Sequence, residues 1–179
     1  MEELRLSPRL AAIAALVPDS AYVADIGTDH GLLPIYLMRR GIVRLAIGTD
    51  ISEGPLETAR SNAALYGETR VRFMQGDGLE CVRPEEVNTI VLAGMGGETI
   101  AEILSKTPWV RYGAMLILQP MSRAEKLRRA LYDMSLMIMH EELVEDGGRI
   151  YPILVATAGV CDEYSEAEYY TGLYSQICE

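Results

Sequence analysis

Aspartates stand at positions 25, 29, 50 and 77, each close to glycine: Gly27 and Gly31 bracket Asp29, Gly48 precedes Asp50, and Gly76 and Gly78 flank Asp77. Carboxylates held at glycine-bounded turns can accept hydrogen bonds from hydroxyls and amines, and together they attract a cation. The segment Asp25-Ile26-Gly27-Thr28-Asp29-His30-Gly31 lacks the G-x-G-x-x-G spacing with which a backbone closes on a pyrophosphate. Two phosphates would be poorly served by Asp25 and Asp29. A ligand bearing sulfonium and ammonium charges would be drawn to them, which favours S-adenosyl-L-methionine over a nicotinamide dinucleotide.

These acids need strands to carry them. The apolar run 21–26, ended by Gly27, suits a buried central strand, and 31–39 reads as the helix that follows. A turn of this kind sets backbone N–H groups and a helix N-terminus at the carboxyl edge of a parallel sheet. A second strand, 43–50, ends in Asp50, about 20 residues past the turn, where an acid accepts from ribose hydroxyls. The third, 71–75, leads to Gly76-Asp77-Gly78, whose acid can reach an adenine amine or simply form an Asx turn. Acids on three successive strand tips would line one crevice.

The remaining pattern completes an alternating fold. Ser7 and Pro8 read as N-cap and first helical residue, with Leu10, Ile13, Ala14, Leu16 and Val17 forming an apolar stripe that Pro18 ends. Residues 51–55 read as a turn and 56–66 as a helix closed by Gly67. A fourth strand, 87–93, gives way to Gly94, Met95, Gly96 and Gly97 and a helix over 98–106. Those glycines either admit a ligand to the backbone or make a tight connection. A fifth strand, 113–119, stops at Pro120. In the amphipathic helix 122–134, Leu127, Ala130 and Leu131 face inward and the charges outward, while Met134, Met137 and Met139 read as core filling. Strands 136–144 and 149–156, joined at 145–148, form an antiparallel hairpin. Beyond Gly159 a tyrosine-bearing tail begins a further helix.

The 179 residues, 49% hydrophobic, suffice for one domain with its own core. No apolar run is long enough to span a bilayer, and Glu2 and Glu3 stand where a signal peptide would be basic, so a cytoplasmic protein is expected. Cys81, Cys161 and Cys178 make no C-x-x-C pair, and His30 and His140 lie far apart; neither a metal site nor a disulfide framework is expected. The formal charge of −10 argues against a polyanionic partner, although 123–129 is locally basic.

The expected architecture is α/β and Rossmann-like, a mostly parallel seven-stranded sheet with helices on both faces and a C-terminal antiparallel hairpin. It resembles the class I S-adenosylmethionine-dependent methyltransferases. More closely, Leu6-Ser7-Pro8-Arg9-Leu10, Ala24-Asp25-Ile26-Gly27-Thr28-Asp29-His30, Glu53-Gly54-Pro55, Gly76-Asp77-Gly78-Leu79, Ala93-Gly94-Met95-Gly96-Gly97, Leu118-Gln119-Pro120 and Glu145-Asp146-Gly147-Gly148-Arg149-Ile150-Tyr151 resemble the TrmK family of bacterial tRNA (adenine(22)-N1)-methyltransferases. The resemblance implies that the cofactor is held by Asp25, Gly27, Thr28, Gly31, Asp50, Ile51, Gly76, Asp77, Gly78, Ala93, Gly94, Met95, Gly96 and Gly97. His30 either touches the ligand or caps the turn. Asp29 becomes the catalytic carboxylate near the reacting adenine, and Arg5, Arg9 and Arg123 the candidate RNA contacts. It also implies a methyltransferase domain over 1–158 and, over 159–179, the start of a C-terminal helical extension, truncated or shortened.

Alternatives remain open at this stage. An acidic chain also suits methyl transfer to a small molecule or a protein, or a silent cofactor-binding module whose tail recruits a partner. Oligomeric state is not legible.

Overall fold

The computed structural model describes residues 4–173. Its seven strands form a sheet in the order β3 (Arg72–Gln75), β2 (Val43–Asp50), β1 (Ala21–Ile26), β4 (Thr89–Met95), β5 (Met115–Pro120), β7 (Arg149–Ala158) and β6 (Leu136–Asp146). The chain divides into two compact units, Met1–Val91 and Leu92–Glu179.

In the first unit, α1 (Pro8–Leu16) starts where expected: the Ser7 hydroxyl accepts the Leu10 N–H at 3.4 Å, and Pro8 occupies the first turn. Strand β1 (Ala21–Ile26) is buried at every residue except Tyr22, as a central strand requires. It leads through the glycine-bounded turn to α2 (Leu32–Arg39), which buries Leu33, Ile35, Leu37 and Met38. Strand β2 (Val43–Asp50) runs parallel to β1 with Ile26 opposite Thr49, and β3 (Arg72–Gln75) runs parallel to β2 with Asp50 opposite Gln75.

The helix between them, α3, spans Glu53–Leu65 and so begins inside the stretch expected to be a turn. Pro55 lies in its first turn, where the missing N–H is one of those a helix leaves unpaired in any case. Leu56, Ala59 and Ala63 are its buried face.

In the second unit, strand β4 (Thr89–Met95), whose first residues close the first unit, continues through Gly94 and Met95, two residues past the expected end. Helix α4 (Gly97–Ser105) follows, then β5 (Met115–Pro120) and α5 (Ala124–Asp133). Strands β6 (Leu136–Asp146) and β7 (Arg149–Ala158) pair antiparallel over their full length through the two-residue turn Gly147-Gly148. Only Leu154, Val155 and Ala156 of β7 pair with β5, so the hairpin tip projects past the carboxyl end of β5 as a two-stranded arm.

One charge goes inward against expectation. Arg128 of α5 is 2% exposed and forks onto the equally buried Glu141 of β6, while its Nη1 donates to the Tyr169 carbonyl at 2.7 Å. Tyr169 belongs to α6 (Glu166–Thr171), which opens with a reciprocal Ser165–Glu168 capping box. The Leu173 N–H also donates to Glu141, at 3.1 Å. Residues 166–171 thus form a short helix clamped to α5 and β6; 174–179 lie outside the described residues. Met139, expected in the core, is 59% exposed on β6, whereas Met134 is buried.

Candidate active site

The turn after β1 is built around a buried acid. Asp25 is 5% exposed, and its Oδ2 accepts the Thr28 hydroxyl at 2.7 Å, which folds the turn back over the strand end. Burial pushes the Asp25 carboxyl up from 3.8 to about 6; the Thr28 hydrogen bond pulls it partly back, and the charge of Asp50 adds to the rise. Asp25 therefore anchors the turn more than it presents a surface charge.

Beside it, the three strand tips of the first unit are stitched together. The Thr28 N–H donates to the Thr49 carbonyl at 2.8 Å and the Gly76 N–H to the Asp50 carbonyl at 3.0 Å. The Thr49 hydroxyl donates to the Gly78 carbonyl at 3.3 Å, and the Gln75 amide to the Ile51 carbonyl at 3.0 Å. The turns bearing Asp25, Asp50 and Asp77 are therefore neighbours on one edge.

Asp50 is the most firmly held carboxylate there. Its two carboxylate oxygens accept from the Asp29 N–H at 3.4 Å and the Ser52 N–H at 3.0 Å. Each oxygen retains a lone pair for a further donor such as a ribose hydroxyl. Next to it Ile51 is 64% exposed, an apolar face at the strand tip suited to an aromatic ring. Asp77 is exposed in the neighbouring turn, available to an amine. These residues fit a hydroxylated, cationic adenosine derivative.

Asp29 and His30 face solvent, with His30 Nε2 3.5 Å from Asp29 Oδ2. Asp29 has φ +51°, a left-handed conformation that aspartate tolerates better than most side chains. Gly27 and Gly31 on either side also have positive φ, so the backbone turns Asp29 outward from the strand end. The His30 carbonyl accepts from the Asn62 side chain of α3 at 2.9 Å.

In the second unit, the end of β4 packs on the end of β5: the Met121 N–H donates to the Met95 carbonyl at 2.9 Å and the Gly97 N–H to the Ser122 carbonyl at 2.8 Å. A Cβ on Gly97 would fall 2.3 Å from the Arg123 carbonyl oxygen, so this approach requires glycine. Ala93, Met95 and Gly96 are half-buried and Gly94 exposed. Arg123 is the left-handed N-cap of α5, its guanidinium 3.6 Å from Glu125. Arg5 is exposed and Arg9 half-buried at the start of α1.

Sequence reasoning missed Thr49, Asn62 and Gln75, which bind the turns together through side chains. Their partners lie 29, 32 and 24 residues away, and no local pattern announces such pairings. Among the described residues no group of three or more His, Cys, Asp or Glu is arranged to hold a metal ion, and no helix is long and apolar enough to cross a membrane.

An acid-bearing parallel edge in a mostly parallel sheet closed by an antiparallel hairpin defines the class I methyltransferase fold. A methyltransferase domain family matches residues 6–154. The tRNA (adenine(22)-N(1))-methyltransferase of Bacillus subtilis strain 168 is 38% identical over 161 residues, 89% of this chain and 68% of that protein. A Streptococcus pneumoniae protein solved with S-adenosyl-L-methionine superposes at a TM-score of 0.91, with 34% identity over 97% of this chain and 83% of its own. M. capricolum TrmK, in complex with S-adenosyl-homocysteine, gives a TM-score of 0.85 at 28% identity, over 95% of this chain and 76% of its own. The chain belongs to the TrmK family of tRNA (adenine-N1)-methyltransferases.

Proposed function

We propose that this protein transfers a methyl group from S-adenosyl-L-methionine to N1 of an adenine in tRNA. The observation that carries the reading is the fixed Asp50 carboxylate, with acceptor capacity to spare beside Ile51 and Asp77, in a chain whose Bacillus subtilis relative has that activity. Asp25, Gly27, Thr28, His30 and Gly31 shape the first turn of the cofactor site; Asp50 and Ile51 take ribose and ring; Gly76, Asp77 and Gly78 take the adenine amine. Ala93, Gly94, Met95, Gly96 and Gly97 supply close backbone. The reading places the protein in the cytoplasm with its substrate, with residues 1–158 as the catalytic domain.

Bound S-adenosyl-L-methionine supplies an electrophilic methyl carbon and leaves as the thioether. The rest is orientation and field. Adenine N1 has a free lone pair but lies on the pairing edge, so the target nucleotide must leave its stack to reach the site. No base has to deprotonate N1 beforehand. Positive charge grows on the ring as the N–C bond forms, and the exposed Asp29 carboxylate stabilises it by accepting from the N6 amine. Arg5, Arg9 and Arg123 contact the RNA backbone.

The net charge of −10 favours a second reading, a small-molecule or protein acceptor. Incubating the protein with radiolabelled S-adenosyl-L-methionine and either unmodified bulk tRNA or a metabolite extract separates the two. Label in 1-methyladenosine after nucleoside digestion is the expected result. Label confined to the metabolite fraction would end the tRNA reading.

A further inference from the structure

Gln119 is fully buried near the end of β5, and its carboxamide works in both directions. Its Oε1 accepts the Gly94 N–H at 3.1 Å; its Nε2 donates to the Pro120 carbonyl at 2.9 Å and lies 3.7 Å from Met121 Sδ. Gly94 has φ +79°, and its N–H is satisfied by this side chain one residue before β4 ends at Met95 and the chain passes through Gly96 into α4. Pro120 brings no N–H of its own, and Met121 follows it into the bond with the Met95 carbonyl. One amide thus ties the two strand ends whose turns carry the glycine segment and Arg123.

The chemistry of this spot is restrictive. An apolar side chain of the same length would release the Gly94 N–H from this fixed partner and remove the buried donor to the Pro120 carbonyl. A carboxylate can accept from Gly94 but cannot donate to Pro120. A protonated carboxyl can do both.

We propose that Gln119 is a positioning residue for methyl transfer: its amide fixes the Gly94 peptide and, with it, the backbone that residues 94–97 present to bound ligand. This rests on the function proposed above. Its effect appears in turnover beyond any loss of folding stability, because a peptide left to rotate at Gly94 changes the geometry in which donor and acceptor meet.

The test uses the full chain, S-adenosyl-L-methionine and unmodified tRNA, with rates taken as a ratio to the unsubstituted protein at each pH so that the ionisation of Asp25 cancels. Gln119→Met should lower kcat roughly 10- to 100-fold while the protein still melts cooperatively. Gln119→Glu should be equally impaired at about pH 8.5 and regain most of its turnover toward about pH 6, as the buried carboxyl takes up a proton. Ordinary kcat in Gln119→Met, or a Gln119→Glu ratio flat with pH, overturns the proposal. Should Gln119→Met fail to fold, Gln119→Glu decides alone: recovery at low pH with an unchanged melting temperature supports positioning, whereas loss that tracks unfolding overturns it. Unsubstituted protein that makes no 1-methyladenosine removes the function and this role together; active protein with indifferent variants removes Gln119 only.

Discussion

Asp25 is held against its own preference for charge. Its folded value of about 6 stands above the ordinary 3.8, so the native state binds the proton more tightly than the unfolded chain does. The resulting stabilisation is complete below about pH 4 and is lost as pH rises through about 6, a difference of roughly 3 kcal/mol. Asp25→Asn keeps an acceptor for the Thr28 hydroxyl without the charge. It should therefore raise unfolding free energy by about 1–3 kcal/mol at pH 7.5 and by little at about pH 3, measured by urea melts. An equal gain at both pH values would show that burial of the charge is not the cause. Asp29 calls for a different substitution. At φ +51°, alanine adds strain of about 1 kcal/mol, whereas asparagine tolerates the conformation. Asp29→Asn should lower kcat roughly 100-fold with cofactor affinity near normal by calorimetry. A matching rise in the cofactor dissociation constant would move Asp29 from catalysis to binding. The sequence displayed both acids; it could not display that one is buried and the other turned out, since that depends on a hydroxyl three residues on and on left-handed backbone.

At the scale of elements, strands were legible where apolar runs met turn residues. Ala21–Ile26 and Val43–Asp50 begin and end as their sequences imply. Boundaries differ from those the sequence implies where glycine and proline do not punctuate. Pro55 sits inside the first turn of α3, and Gly94 lies within β4 with its N–H on a side-chain acceptor. Outward-facing charge in α5 was also too simple: Arg128 has a carboxylate waiting 13 residues on, which helical periodicity cannot reveal. The contact between α4 and the turn before α5 gives a direct test. In Gly97→Ala the new methyl meets the Arg123 carbonyl oxygen and carbon and the Ser122 carbonyl oxygen, backbone atoms that cannot rotate away. Despite alanine's better helix propensity, a loss of about 2–4 kcal/mol is expected in thermal or urea unfolding. A neutral or stabilising result would mean the two turns can separate at little cost.

For the whole molecule, the tension lies between a charge of −10 and a polyanionic substrate. If Arg5, Arg9 and Arg123 carry the backbone contacts, only a few counterions are released on binding. The logarithm of the tRNA KM should then rise against the logarithm of salt concentration with a slope of about 2 to 3, in steady-state assays at saturating cofactor. A slope near zero would exclude ionic contact by these arginines, and a much steeper one would require cations not yet assigned. The family motifs were readable because local chemistry dictates them; the RNA-binding surface was not, since it depends on which scattered arginines share a face.

The buried Arg128–Glu141 pair has a consequence of another kind. Truncating Glu141 to alanine strands a guanidinium away from water and should cost about 3–5 kcal/mol in chemical unfolding, and a loss below about 1 kcal/mol would mean water reaches the pair. Because Glu141 grips α5 and the Leu173 amide at once, a pull on the polypeptide at Leu173 is not absorbed by slack. It is shared between that carboxylate and the Arg128 bond to the Tyr169 carbonyl, so two buried groups of opposite charge carry the load into β6 and α5.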